Sequence, residues 1–140
     1  LAAIVHDIGK IAVPAEILSN PLPLTETEFD MIKRHSGVGY EILKRIEFPW
    51  PIAQMVNEHH ERLDGSGYPR GITRSQISLG ARVIAVADVV EAMASHRPYR
   101  PALGVQKALE EGQQNAGTLY DADAVEACTR LITEEGYRLD

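Results

Sequence analysis

A chain of 140 residues with a formal net charge of −6 and one cysteine is long enough for one compact domain, too acidic for a general nucleic-acid binder, and unable to close an internal disulfide. Its 44% hydrophobic and 24% charged residues are ordinary for a globular protein, and no apolar run approaches the ~20 residues that span a bilayer. With no signal peptide ahead of His6 and only Cys128 as a thiol, a cytoplasmic domain without membrane contact or nucleic-acid polymer is expected.

In chain order the pattern is helical throughout. Leu1-Ala2-Ala3-Ile4-Val5 is apolar and starts without a cap, so residues 1–9 read as the end of a buried helix. From this start we expect residues 1–140 to form one domain within a longer protein, with helices upstream. Residues 14–18 suit one short turn with Pro14 at its first helical position, and residues 20–23 are a connector. Thr25 with Glu28 three residues on predicts a capping box opening a helix that runs to about Ile46, broken near Gly37 and Gly39. A turn at 48–51 leads to a helix over 52–60. Three glycines and a proline make 63–71 a loop. Residues 79–95 form the most apolar helix, with no clear polar face, and so the expected central buried one. A loop at 96–104 and two amphipathic helices, 105–116 and 122–135, complete an all-α, multi-helix domain. Cys128 on the last of these reads as a small core residue.

Polar residues stand where this pattern asks for apolar ones. On the 52–60 helix Ile52, Met55, Val56 and His59 form one stripe, with His60 at its edge. On the 79–95 helix Ala81, Ile84, Ala85, Asp88 and Ala92 share a face. Ile32, His35, Gly39, Ile42 and Ile46 line up on the helix after Thr25, which turns His35 inward. His6 and Asp7 close an apolar run. One inward histidine is more often a hydrogen-bonded core residue than a ligand, and one buried aspartate more often a packing or capping partner. Taken together, several inward imidazoles and two carboxylates are most economically explained by a shared cation site, because a buried carboxylate must be paired or bound. Such ligands suit Fe, Mn, Zn or Ni, and the lack of cysteine ligands argues against a structural zinc.

The order and spacing of these residues resemble the HD-GYP family. His6-Asp7-Ile8-Gly9-Lys10 is similar to the HD motif with its trailing glycine and lysine. The string from His59-His60-Glu61 through Asp64-Gly65 to Gly67-Tyr68-Pro69 resembles the signature that names the family. Lys33-Arg34-His35 with Gly37 and Gly39 matches the intervening histidine region. Ala87-Asp88 through Met93 and Arg97-Pro98-Tyr99-Arg100-Pro101 match the downstream blocks. The similarity runs from Leu1 to about Gly104 and more loosely over the last two helices.

The resemblance implies an HD-domain fold and a metal-dependent phosphodiesterase hydrolysing cyclic di-GMP to linear pGpG, which a second cleavage would take to GMP. It implies two or three divalent metal ions, Fe or Mn foremost, held by His6, Asp7, His35, His59, His60 and Asp88, with Asp7 bridging. Lys10 would meet a phosphate oxygen, Arg97 and Arg100 the phosphate or guanine, and Tyr68 would line the pocket. For Lys10 the residues alone allow a solvated lysine past a helix end, and for the arginines surface charge. Trinuclear members take a further glutamate and histidine from a helix upstream of the HD motif, which has no counterpart here. The family also links the Gly-Tyr-Pro loop to diguanylate cyclase domains as partners, and an upstream sensor or receiver domain is expected. Two other readings stay open: an HD phosphohydrolase for other nucleotides, and a scaffold module that signals by contact.

Overall fold

The computed structural model describes residues 1–95 and 102–139. Eight α-helices follow one another among them: α1 Ala2–Val5, α2 Ala15–Leu18, α3 Glu26–Lys33, α4 His35–Leu43, α5 Ile52–Glu58, α6 Leu79–Ala94, α7 Val105–Gln114 and α8 Ala122–Thr133. Short 3-10 turns lie at Ile8–Ala12 and Arg74–Gln76. The described residues contain two isolated bridges, Asp64 with Thr73 and Ala116 with Tyr120, and no strand. The domain is all-α, as the sequence pattern requires.

Local chemistry fixes several boundaries. Thr25 and Glu28 close the expected capping box: the Glu28 N–H donates to Thr25 Oγ1 at 3.3 Å and the Thr25 N–H to Glu28 Oε2 at 2.7 Å. Asp121 caps α8, accepting from the N–H groups of Asp123 and Ala124, while its other oxygen takes Arg82 Nη1 at 2.6 Å and so ties α8 to α6. Pro14 stands at the cap of α2, one residue earlier than expected.

The long helix expected from Thr25 to Ile46 is two helices, and the break falls at Arg34 rather than at the glycines. Gly37 and Gly39 both sit inside α4. Gly39 is small because neighbours press on it: a Cβ there would lie 2.8 Å from Val56 Cγ1. Gly9 is more constrained still, since a Cβ would fall 1.8 Å from the carbonyl oxygen of His35. The 3-10 turn after His6-Asp7 therefore packs backbone to backbone on the first turn of α4. That close approach brings the HD pair to His35.

Helix α5 packs against α1, α4 and α6, and α6 also against α7 and α8. One apolar cluster joins Val86, Val90, Ala108, Leu109, Tyr120 and Val125 across α6, α7 and α8. A second joins Ala2, Leu43, Ile52, Val56 and Ile84. Helix α6 is central but not buried all round, with Leu79 63% and Val83 49% exposed. The α4 stripe departs from expectation too. Ile42 and Ile46 face solvent, and Leu43 takes the core position. Cys128 is only partly buried, against the first cluster. No helix of the described residues is long and apolar enough to cross a membrane.

Candidate metal centre

Four helices deliver their polar residues to one place. His6 and Asp7 come from the end of α1, His35 from the start of α4, His59 and His60 from the end of α5, and Asp88 from the middle of α6. His35 and His59 are 1% and 0% exposed. Asp7 and Asp88 are only partly covered, at the mouth rather than the floor. A cleft of about 490 Å³ opens there, lined by His6, Asp7, Asp88 and Glu91 with Ala3 and Ile84 among its walls.

Three of the imidazoles are held alike. Nδ1 of His6 lies 2.7 Å from the carbonyl of Ala3, Nδ1 of His35 2.7 Å from that of Ile32, and Nδ1 of His59 2.6 Å from that of Val56. A carbonyl only accepts, so each Nδ1 carries the proton. At His35 and His59 the inward-facing Nε2 then carries the lone pair. Burial holds the pKa of His59 down at about 4 and lowers those of His35 and His60, so all three are neutral near pH 7. The Nε2 atoms of His35 and His59 stand 3.4 Å apart. With both protons committed to the backbone, two lone pairs face each other, and a shared cation removes that repulsion.

The carboxylates complete the set. Asp7 Oδ1 lies 3.4 Å from His35 Nε2 and its Oδ2 3.6 Å from His6 Nε2, so its two oxygens face two different imidazoles. Asp88 Oδ1 lies 3.7 Å from His6 Nε2. The neighbouring carboxylate of Asp88 raises the His6 pKa, against burial. Burial would raise Asp88, but His6 and the surrounding imidazoles outweigh it and hold the carboxyl well below its usual range. His35, His59 and His60 offer donor atoms within 4.8 Å of one another, as do His6, Asp7 and His59. The donor set of imidazoles and carboxylates fits divalent cations. Lys10 Nζ reaches Asp7 Oδ2 at 2.5 Å, which puts a cation donor at the rim. Tyr68 stacks on His60, ring centres 4.7 Å apart, and burial pushes its phenol up to about 12. Arg97 and Arg100 lie outside the described residues.

Sequence reasoning missed two residues beside this site. Glu58 and Glu61 are 1% and 2% exposed. Glu58 accepts from Gln54 Nε2, Arg70 Nη2 and the Ser78 N–H, at 3.0, 2.8 and 2.9 Å. Glu61 accepts the N–H groups of Arg70 at 2.7 Å and Ile72 at 3.1 Å. Glu58 sits two residues after Val56, off the apolar stripe, and Glu61 lies past the helix end. Helical periodicity carries no signal for either.

A family model described as HD domain matches residues 1–124. The chain belongs to the HD-GYP family of HD-domain proteins. Among curated relatives, a Thermotoga maritima protein named cyclic di-GMP phosphodiesterase is 43% identical over 137 residues, 95% of this chain and 37% of its own length. The Xanthomonas campestris protein named cyclic di-GMP phosphodiesterase response regulator RpfG is 44% identical over 93% of this chain and 35% of its own. A Vibrio cholerae protein named 3′3′-cGAMP-specific phosphodiesterase 3 is 38% identical over 94% of this chain and 28% of its own. The chain thus spans about a third of the length of the curated relatives it matches. Among solved structures, Bd1817, described as a HDG"Y"P protein from Bdellovibrio bacteriovorus, shares the fold, with a TM-score of 0.73 at 14% identity, over 94% of this chain and 42% of that one. HD domains are metal-dependent, and the imidazole cluster is where this HD-GYP domain would hold its ions.

Proposed function

We propose that this domain is the catalytic unit of a cyclic di-GMP phosphodiesterase that opens the ring to linear pGpG, which a second cleavage would take to GMP. The observation that carries the reading is the convergence of backbone-locked imidazoles, Nε2 inward, on Asp7 and Asp88 beside an open cleft. The names of the relatives in Thermotoga and Xanthomonas support the substrate.

In this reading His6, Asp7, His35, His59, His60 and Asp88 would hold two or three divalent ions, Fe or Mn, with Asp7 as the ligand they would share. Bound there, such ions supply positive charge to a phosphodiester and lower the pKa of a water. The protein's own part is positional. The Nδ1 bonds fix the imidazole tautomers before substrate arrives. Lys10, released from Asp7, neutralises charge on a non-bridging phosphate oxygen. Arg97 and Arg100 contact phosphate or guanine, and Tyr68, stacked on His60, lines the substrate's path to the ions. Hydrolysis adds the water oxygen to phosphorus, breaks the bond to the 3′ oxygen and leaves a proton there. Residues 1–140 act as one cytoplasmic domain of a longer protein whose sensor or receiver domain controls it, in keeping with the response-regulator name of one relative. Diguanylate cyclase domains dock at the Gly-Tyr-Pro loop.

A second substrate has a specific observation behind it: two Vibrio cholerae relatives at 38% and 42% identity are named for 3′3′-cGAMP. Incubating full-length, Mn²⁺- or Fe²⁺-loaded protein with cyclic di-GMP, 3′3′-cGAMP and simple mononucleotide esters separates the readings. We expect pGpG to accumulate fastest. Preferential cleavage of 3′3′-cGAMP would move the assignment to that substrate, and cleavage of mononucleotides alone would overturn it.

A further inference from the structure

Three central imidazoles take their orientation from helix carbonyls just before them in the chain, and the fourth does not. His6, His35 and His59 each place Nδ1 on the carbonyl three residues earlier, at 2.7, 2.7 and 2.6 Å. Such a bond fixes both the tautomer and the rotation of the ring. His60 has no hydrogen bond on either ring nitrogen among the described residues. Its neighbours are rings: His59 with centroids 4.0 Å apart and tilted 43°, His35 edge-on at 4.9 Å, and Tyr68 stacked at 4.7 Å and 24°. Tyr68 is the one partner among these that does not belong to the imidazole cluster.

We propose that Tyr68 is a positioning residue for His60, so that the Gly-Tyr-Pro loop does for the fourth imidazole what helix carbonyls do for the other three. The loop is built to hold that ring still. The Tyr68 N–H donates to the His60 carbonyl at 3.2 Å, closing the loop onto the residue its side chain covers. Gly67 lies so near the strand of chain beneath it that a Cβ would stand 2.4 Å from the His60 carbonyl oxygen and 2.5 Å from the Arg62 nitrogen. Glu61 binds the N–H groups of Arg70 and Ile72, clamping the loop just beyond Tyr68. Glu58 binds the Arg70 guanidinium and the Ser78 N–H, fastening the same segment to the start of α6. Burying two carboxylates is costly unless each is fully bonded, and here both are spent on the loop that carries Tyr68. The planar face of the tyrosine limits His60 to ring rotations parallel to it, which keeps the ring among the group it forms with His35 and His59.

This inference rests on the reading of those imidazoles as cation ligands, and the test separates the two. Co²⁺ is added to metal-free full-length protein, and binding is followed by calorimetry and by the visible absorption of the bound ion. Tyr68→Leu keeps apolar volume but loses the flat face. We expect its Co²⁺ affinity to fall by about 10- to 100-fold, the usual range for loss of a group that orients a ligand, with a changed absorption band. Tyr68→Phe should stay within about twofold of wild type. Wild-type affinity and spectrum in Tyr68→Leu would overturn the proposal, as would a Tyr68→Phe variant as weak as Tyr68→Leu. Should Tyr68→Leu fail to fold, Glu61→Gln decides: it loosens the loop and leaves the tyrosine in place, and unchanged Co²⁺ binding there would overturn the proposal. Absence of Co²⁺ binding by wild type, or binding indifferent to His59→Ala, would overturn the cation reading and this inference together. A drop in His59→Ala without one in Tyr68→Leu would overturn this inference alone.

Discussion

Between α6, α7 and α8 the interior is Val86, Val90, Ala108, Leu109 and Val125, closed by the ring of Tyr120. Around α4, α5 and the turn after α1 the deepest positions carry a different chemistry. Among the described residues, the largest side chains with almost no exposure are His35, His59, Glu58, Val56 and Ser36, and only one of them is apolar. The first region is held by removal of hydrocarbon from water, which needs nothing from outside the chain. In the second, apolar side chains form the surround and imidazoles the centre. Glu58 and Glu61 find hydrogen-bond donors within the protein, whereas the inward Nε2 atoms of His35 and His59 face each other, with an oxygen of Asp7 equally near His35, and meet no donor among the described residues. A fold that gives its best-shielded places to groups it leaves unsatisfied has placed function there.

The comparison can be broken at either end. Asp7→Ala removes the carboxylate that faces both His6 and His35, and we expect activity on the cyclic dinucleotide to fall by about three orders of magnitude, roughly 4 kcal/mol of transition-state stabilisation. Metal analysis should show loss of bound ion, while circular dichroism stays close to wild type. Retained metal stoichiometry would count against the role given to Asp7. In the apolar region the effects should reverse. Leu109→Ala should cost about 2–5 kcal/mol of stability in denaturant titrations, with the metal content of the folded protein unchanged.

Acid sharpens the contrast further. The unfolded chain protonates His59 near its ordinary 6.5, whereas the folded protein does so only near 4. The unfolded state therefore binds more protons in that window, and stability that is complete above about pH 6.5 is lost as the pH falls toward 4. For metal-free protein we expect roughly 2 kcal/mol less stability at pH 5 than at pH 7.5, and a flatter profile in His59→Asn. Equal pH dependence in that variant would point to other groups. The smallest expected effect is that of Lys10→Ala, about a tenfold drop in turnover with the ions retained. Loss of metal to the same degree as activity would show that Lys10 supports Asp7 instead of the phosphate.

Much of this was legible before any coordinates. The capping box at Thr25, the stripe through Val56 to His59 and the inward turn of His35 all follow from periodicity and local hydrogen bonding. What periodicity cannot show is convergence. That His35 meets the HD pair depends on Gly9 fitting against a carbonyl of α4, a contact between segments far apart in the chain. The glycines of α4 misled for a related reason. A glycine in a helix reads locally as a weak point, yet Gly39 is there to admit Val56, and the break falls at Arg34, where sequence offers no signal. Ile46 lies past the end of α4 at Leu43, and Ile42, though on the same helix as His35, stands beside the core position that Leu43 takes. Glu58 and Glu61 escaped because their partners lie in a loop and at a helix start that pattern alone does not bring near.

The central claim is that imidazoles from three stretches of chain share cations. Anomalous diffraction from crystals of the Mn²⁺- or Fe²⁺-loaded protein tests it most directly. The account requires peaks about 2 Å from the Nε2 atoms of His35 and His59, with an oxygen of Asp7 in the same coordination sphere. A fully loaded crystal whose ions all lie beyond bonding distance of those nitrogens would contradict it.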